Sequence, residues 1–350
     1  MNKNSWLRGG IQYLIPGYMI LIGGLLVLVF RLSHESVYWD EGYAWAMSNH
    51  SFLDIIRYTI DWENHPPLFY LLLKLFRIFA GNSILAIRLF SAIGALALMS
   101  LGLGPIRRAC GLKTGLIFSG LTLLTPALLS LAQDGRMYTW SAFFVTGTII
   151  YAYLATTGGK RNDWVKLGIM TLGAAYIHYY AFLAVGLALF LLFIWIFFKN
   201  RRQLPPFFIT MGAVFIGYLP WLPAFIKQLT AVRQDFWIPP ITPSVIWGTL
   251  FFPYGEKFDS APQLFIFKPY AFLVGLALIL WGIRQGVVQK SKVNSLNLLS
   301  FAVYVSTFLA GIILSYIIRP IWISRYIAPV LGLFILSLAI GLSFIRRKSA

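Results

Sequence analysis

The chain has 350 residues, of which 59% are hydrophobic and 11% charged, with a mean hydropathy of +0.75. That composition excludes an ordinary soluble domain and points to an all-α polytopic membrane protein. The net charge of +18 would suit nucleic acid in a soluble protein. Here most basic residues fall in short clusters between apolar runs, so membrane lipids are the expected counter-charge and no nucleic-acid partner is expected.

In chain order, apolar stretches that can cross about 30 Å of hydrocarbon, or nearly so, fall at about 11–32, 84–104, 114–132, 138–156, 166–179, 180–198, 205–224, 266–284, 295–318 and 327–345. These predict about ten transmembrane helices. The first has no clear small-residue cleavage site and reads as a transmembrane helix rather than a signal peptide. Pro67 to Ala80 is shorter and carries Lys74 and Arg77. If it stays out of the membrane and the N-terminus is cytoplasmic, every basic cluster falls inside: Lys3/Arg8, Arg107/Arg108/Lys113, Lys160/Arg161/Lys166, Lys199/Arg201/Arg202, Arg284/Lys290/Lys292 and Arg346/Arg347/Lys348. The positive-inside rule is then obeyed throughout. The segment is therefore expected to be an interfacial helix whose Lys74 and Arg77 snorkel to headgroups.

The same topology puts every acid except Asp163 on the outer side: Glu35, Asp40, Glu41, Asp54, Asp61, Glu63, Asp134, Asp235, Glu256 and Asp259. The whole chain, 1–350, reads as a single transmembrane domain with a first outer loop at about 33–83 and another at about 225–265. In the first loop Ser51 and Asp54 have capping-box-like spacing, and Phe52, Ile55, Ile56 and Ile60 recur at roughly helical intervals. The sequence "YLPWLPAFIKQL" at Tyr218–Leu229 reads as an interfacial belt with a kink. The single cysteine, Cys110, rules out an intrachain disulfide and a cysteine-based metal cluster.

Four groups of residues carry candidate chemistry. Asp40 and Glu41, in "VYWDEGYAW", follow the first apolar run; Asp40 reads either as the cap of a helix starting near Glu41 or as a general base taking a proton from an attacking hydroxyl. His65, before Pro66 and Pro67, and His178, in "YIHYY", each read as a satisfied polar group or, if close together, as ligands for a divalent metal ion. Arg136 and Arg325 lie at outer helix ends and Arg88 at the start of the second crossing. Each anchors its helix to lipid phosphate or, if the three converge, grips a phosphate diester. A lipid or sugar transporter, or flippase, is the alternative from another class, but it predicts charged residues along a path through the bilayer. The crossings here are almost free of them.

The segments "YWDEGYAW", "HPPLFYLLL", "IRLFSAIGAL", "QDGRMYTW", "YIHYYA", "PWLPAFIKQL" and "SRYIAPVLGLFIL", in this order and spacing, resemble the bacterial membrane glycosyltransferases of the GT-C superfamily. These are relatives of the protein O-mannosyltransferases and of the aminoarabinose transferase that modifies lipid A. The resemblance runs from about residue 10 to 345. It implies a GT-C fold and transfer of a sugar from a polyprenyl-phosphate donor to a cell-envelope acceptor, with inversion, at the outer face of the plasma membrane. Asp40 is then the expected base with Glu41 beside it. Arg136 and Arg325, with Arg88, would hold the donor phosphate, and His65 matches a metal or donor contact of some relatives. The sequence departs from the family at Asp134-Gly135, where relatives commonly carry Glu-Ala; the acid is kept and little change is expected. Many relatives are longer, so the chain reads as a shortened or minimal member whose acceptor the resemblance leaves open.

Overall fold

A computed structural model of the protein describes residues 17, 19–30, 32, 36–234, 237–255 and 266–345. The basic clusters at Lys3/Arg8 and Arg346/Arg347/Lys348, and the acids Glu35, Asp235, Glu256 and Asp259, lie outside the described residues, as do parts of the predicted 11–32 crossing and 225–265 loop. Among the described residues every regular element is helical.

The helix Met19–Val29 (α1) precedes three short helices, Trp39–Met47 (α2), Phe52–Asp61 (α3) and Leu68–Ala80 (α4). Ser51 caps α3 by accepting the Asp54 N–H at 3.1 Å, as the spacing predicts. Ile55 and Thr59 of α3 are buried, while Arg57 and Asp54 pair on the opposite, exposed side. In α4, Phe69, Tyr70 and Leu73 recur at helical intervals and are fully buried.

Arg77 of α4 corrects an expectation. It does not snorkel outward but is buried, donating to the Trp45 carbonyl at 3.0 Å and to Asn49 Oδ1 at 2.9 Å, with Ser48 Oγ also in contact. The last carbonyls of α2 have no partner within their own helix and carry the negative end of its dipole, so a guanidinium is drawn there. Lys74 lies 5.4 Å from the Phe52 ring centroid in a cation–π contact.

The long helices follow. Ile84–Leu101 (α5) continues through a π-helical turn at Gly102–Ile106 to Cys110, giving 27 residues in one span. The predicted 114–132 crossing is two helices, Leu112–Leu124 (α6) and Pro126–Gln133 (α7), bent by 62°. The bend sits where Pro126 removes an N–H and forces Thr125 into extended backbone (ψ 113°). Tyr138–Gly158 (α8), Arg161–Ile177 (α9), Tyr179–Lys199 (α10), Leu204–Tyr218 (α11) and Leu222–Gln234 (α12) come next. Pro243–Phe251 (α13), Phe267–Val288 (α14), Asn294–Ile317 (α15) and Leu331–Ser343 (α16), the last preceded by a 3₁₀ stretch at Ser324–Val330, complete the chain.

Six described segments are long and apolar enough to cross a membrane, or seven if the bent pair counts as one span. The other predicted crossings, at α1, α8 and α9, are helices too, but shorter or more polar. Helix α8 is buried on nearly every side from Tyr138 to Thr156, and with the Ser324–Ser343 span it forms the centre of the core. Two of its threonines are satisfied within the helix, Thr148 donating to the Phe144 carbonyl and Thr156 to that of Ala152, and Thr139 donates across to the Ser91 carbonyl of α5 at 2.7 Å. The chain is an all-α polytopic membrane protein.

Candidate active site

The site is assembled where α2, the loop between α3 and α4, the α7–α8 corner, the α9–α10 corner and the Ser324 stretch meet. Helix α2 begins at Trp39 because Glu41, two residues on, returns its carboxylate to the Tyr38 N–H at 3.0 Å. Asp40 is therefore not the cap, which corrects that part of the sequence reading. Its side chain faces inward instead, 3.2 Å from Arg325, and Tyr43, one helical turn further, shares that face.

Glu41 is buried, and so is Arg88; they bind each other through Arg88 Nε at 2.7 Å and Nη2 at 2.8 Å. Glu41 also accepts the Gly135 N–H at 3.1 Å, and Arg88 donates to the carbonyls of Leu32 at 2.7 Å and Ser36 at 3.0 Å. Burial alone would raise the Glu41 carboxyl; Arg88 and the Tyr38 and Gly135 amides reverse this and hold it below its usual range. The expectation that Glu41 and Arg88 face the substrate is corrected by this placement: neither lines the cavity, because each is consumed by the other. Gly135 is tight as well. A Cβ there would lie 2.6 Å from Ile87 Cγ2, so the glycine at this position is tied to local packing.

Arg136, next in the chain, is buried and donates to the Tyr70 hydroxyl at 3.3 Å, while its Nε has no partner among the described residues. Its burial opposes the charge, but the oxygens of Tyr70, Tyr138, Glu63 and Asp40 outweigh that and hold the guanidinium firmly cationic. His65 follows Glu63 by two residues, and its Nδ1 contacts the Glu63 carboxylate. Burial would raise Glu63; His65, Arg136 and the Tyr43 hydroxyl pull it down to about 2. His178 lies across from His65, ring centroids 5.1 Å apart, and joins α9 to α10 in extended backbone (φ −163°, ψ 137°).

Asp40, His65, Arg136, His178 and Arg325 all line one cavity of about 970 Å³, which the structure brings together as their common depth in the sequence suggested. Tyr43, Glu63 and Tyr138 line it too and were missed. The signal for Tyr43 was its three-residue spacing from Asp40; for Glu63, its place two residues before His65. From this polar end the cavity continues along a stripe of α10, Leu183, Gly186, Leu187 and Phe190, faced by Leu229 of α12 and Leu314 of α15. The spacing of the stripe is that of one helix face. The arrangement offers a carboxylate beside two guanidinium groups at one end and an apolar groove at the other.

A divalent metal fits the polar end poorly. Among the described residues no three His, Cys, Asp or Glu side chains are grouped to hold one, Asp40 is engaged by Arg325, and the His178 nitrogen nearest the backbone already accepts a hydrogen bond.

No protein-family model matches the sequence, and no curated protein matches it. Solved structures do match. ArnT from Cupriavidus metallidurans in the apo state superposes with a TM-score of 0.66 at 14% identity, over 94% of this chain and 60% of that one. The same protein bound to undecaprenyl phosphate gives 0.59 at 14% identity, over 99% and 61%. The Archaeoglobus fulgidus oligosaccharyltransferase, in complex with Zn and sulfate, gives 0.56 at 16% identity, over 93% and 48%. The chain thus spans between about half and three fifths of the length of these proteins. At such identities the likeness is one of fold, and it agrees with the helical order described above: the chain has the fold of the GT-C membrane glycosyltransferases.

Proposed function

We propose that the protein is an inverting glycosyltransferase that moves a sugar from a polyprenyl-phosphate donor to a cell-envelope acceptor, with its site on the extracytoplasmic side of the plasma membrane and its N-terminus in the cytoplasm. The observation that carries this reading is the shape of one cavity: Asp40, Arg136 and Arg325 at one end, and an apolar groove along α10 leading from them. A phosphate with a long hydrocarbon tail is the ligand that satisfies both ends. One solved structure of the same fold was obtained with undecaprenyl phosphate, and another, from Archaeoglobus fulgidus, with a dolichol-phosphate and an inhibitory peptide.

In the proposed reaction the acceptor oxygen forms a bond to the anomeric carbon of the sugar and loses its proton to Asp40. The bond from that carbon to the phosphate oxygen breaks on the opposite face, and its electron pair stays with the phosphate. Arg136 and Arg325 neutralise the charge that gathers there, which is where fixed cations contribute most in a site shielded from water. A phosphate entering between Arg325 and Asp40 exchanges the 3.2 Å contact they now make. That exchange frees the carboxylate for the acceptor. Tyr43 lines the cavity with its hydroxyl against Glu63, and behind that wall the buried Tyr70 hydroxyl accepts from Arg136. Mass spectrometry of envelope glycans from cells with and without the protein tests the reading: loss of one glycosylated species is expected, and an unchanged glycan profile would contradict it.

The groove makes its own prediction. A Cβ on Gly186 meets nothing within 4 Å, yet Gly186 lines the cavity. Gly186→Leu therefore adds bulk to the groove while improving helix propensity by up to about 1 kcal/mol. The variant is expected to be as stable as the wild type and to need at least tenfold more long-chain donor for half-maximal transfer. A short-chain donor should be affected much less. Equal use of the long-chain donor by both proteins would place the tail elsewhere.

A further inference from the structure

His178 is the residue for which the structure changes the chemistry. Its Nδ1 accepts the Tyr180 backbone N–H at 3.1 Å, capping α10. A ring nitrogen that accepts a hydrogen bond carries no proton, so in the neutral ring the proton is on Nε2. The ring is neutral for independent reasons: it is buried, His65, Arg136 and Arg325 surround it, and together these hold it well below the usual histidine range. The positive end of the α10 dipole acts in the same direction.

Nε2 is on the far side of the ring from α10. It is buried and has no hydrogen-bond partner among the described residues, although buried donors are nearly always paired. The ring lines the cavity beside Arg136 and Arg325, with the Tyr138 and Tyr326 rings 5.7 Å and 5.6 Å away. An unpaired N–H on a ring that lines a site already holding two guanidinium groups asks for an anionic oxygen.

We infer that His178 is a neutral Nε2–H donor to a non-bridging oxygen of the donor's phosphate and is not a metal ligand. The inference rests on the polyprenyl-phosphate reading of the cavity. A metal would need the lone pair of Nε2, and the proton would have to move to Nδ1. Histidines that bind metals almost always point their other N–H at an acceptor. Here that nitrogen faces the Tyr180 N–H, and two donors would meet head-on. Hydrogen bonding to phosphate needs no such change, and the bond strengthens as the C–O bond breaks and negative charge builds on the phosphate. The proton itself stays on His178 throughout.

The test uses the full-length protein in lipid nanodiscs with undecaprenyl phosphate as the probe. The chain has 4 histidines, so a long-range proton–nitrogen spectrum of histidine-labelled protein is assignable by comparison with His178→Gln. The wild-type spectrum is expected to show His178 protonated at Nε2 only, with that resonance shifting on addition of undecaprenyl phosphate and unmoved by Zn²⁺ or Mg²⁺. His178→Ala should bind undecaprenyl phosphate roughly tenfold or more weakly, the range for a hydrogen bond to a charged group. His178→Gln, whose amide restores an N–H at similar reach, should recover most of the loss. A proton on Nδ1, or an Nε2 resonance that answers to metal, overturns the inference directly on the wild-type protein. If the wild type binds undecaprenyl phosphate and both variants bind it equally well, the inference fails while the parent reading stands. If the wild type does not bind it at all, the parent reading fails and takes this one with it.

Discussion

Asp40→Asn is expected to lower sugar transfer by about 10² to 10⁴, the range that loss of a general base brings, while leaving the fold intact. The separation of these effects follows from the architecture. The cap of α2 is made by Glu41, through the Tyr38 N–H, and Asp40 contributes to the fold mainly through its half-buried contact with Arg325. An asparagine keeps the shape and removes only the capacity to hold the acceptor's proton. Initial rates with a labelled lipid-linked sugar, alongside melting curves in detergent, check both halves. Wild-type rates from a folded Asn variant would remove Asp40 from the mechanism. Asp40→Glu keeps the charge but moves it by one methylene and should fall between the two, since a base works only within hydrogen-bond reach of the proton it takes.

Arg88→Ala is expected to act in the opposite way, damaging stability first. Removing one partner of a buried ion pair costs about 3–5 kcal/mol, because the other charge is left uncompensated. Here Glu41, which is 2% exposed, would keep only two backbone amides. The carbonyls of Leu32 and Ser36 would also lose their donor. The melting temperature of the empty protein should drop sharply. Arg136→Met is the informative contrast. That guanidinium is buried with an unpaired Nε and makes one hydrogen bond among those described, to Tyr70. Its loss should therefore cost less stability than that of Arg88 and a large share of the affinity for undecaprenyl phosphate. If Arg88→Ala melted like the wild type and lost only donor affinity, Arg88 would regain a place at the phosphate. The pair of variants thus tells an arginine that builds the site from one that serves it.

The sequence shows depth well and direction around a helix poorly. Charge clusters and apolar runs assign Asp40, His65, Arg136, His178 and Arg325 to one level, and the structure has them around one cavity. Arg88 has the same depth, yet it turns toward Glu41, 47 positions away in the chain; no spacing rule links residues so far apart. Arg77 was misread for a related reason. A basic residue on an amphipathic helix normally reaches for water or headgroups, but the bare carbonyls at the end of α2 lie closer. Pro126 could be read as a bend and was passed over because the apolar run continues through it. Tyr43 and Gly186 were legible as members of helical stripes but only a cavity gives such stripes a purpose. The tautomer of His178 depends on a backbone amide two residues away and is invisible without coordinates.

The single carboxylate of Glu41 grips α2, which carries Asp40, and the corner that carries Arg136. Asp40 and Arg136 are therefore tied to one buried anchor, which fixes their spacing at the polar end of the apolar groove. One acid that never meets the cavity thus serves as the keystone of the two walls that do.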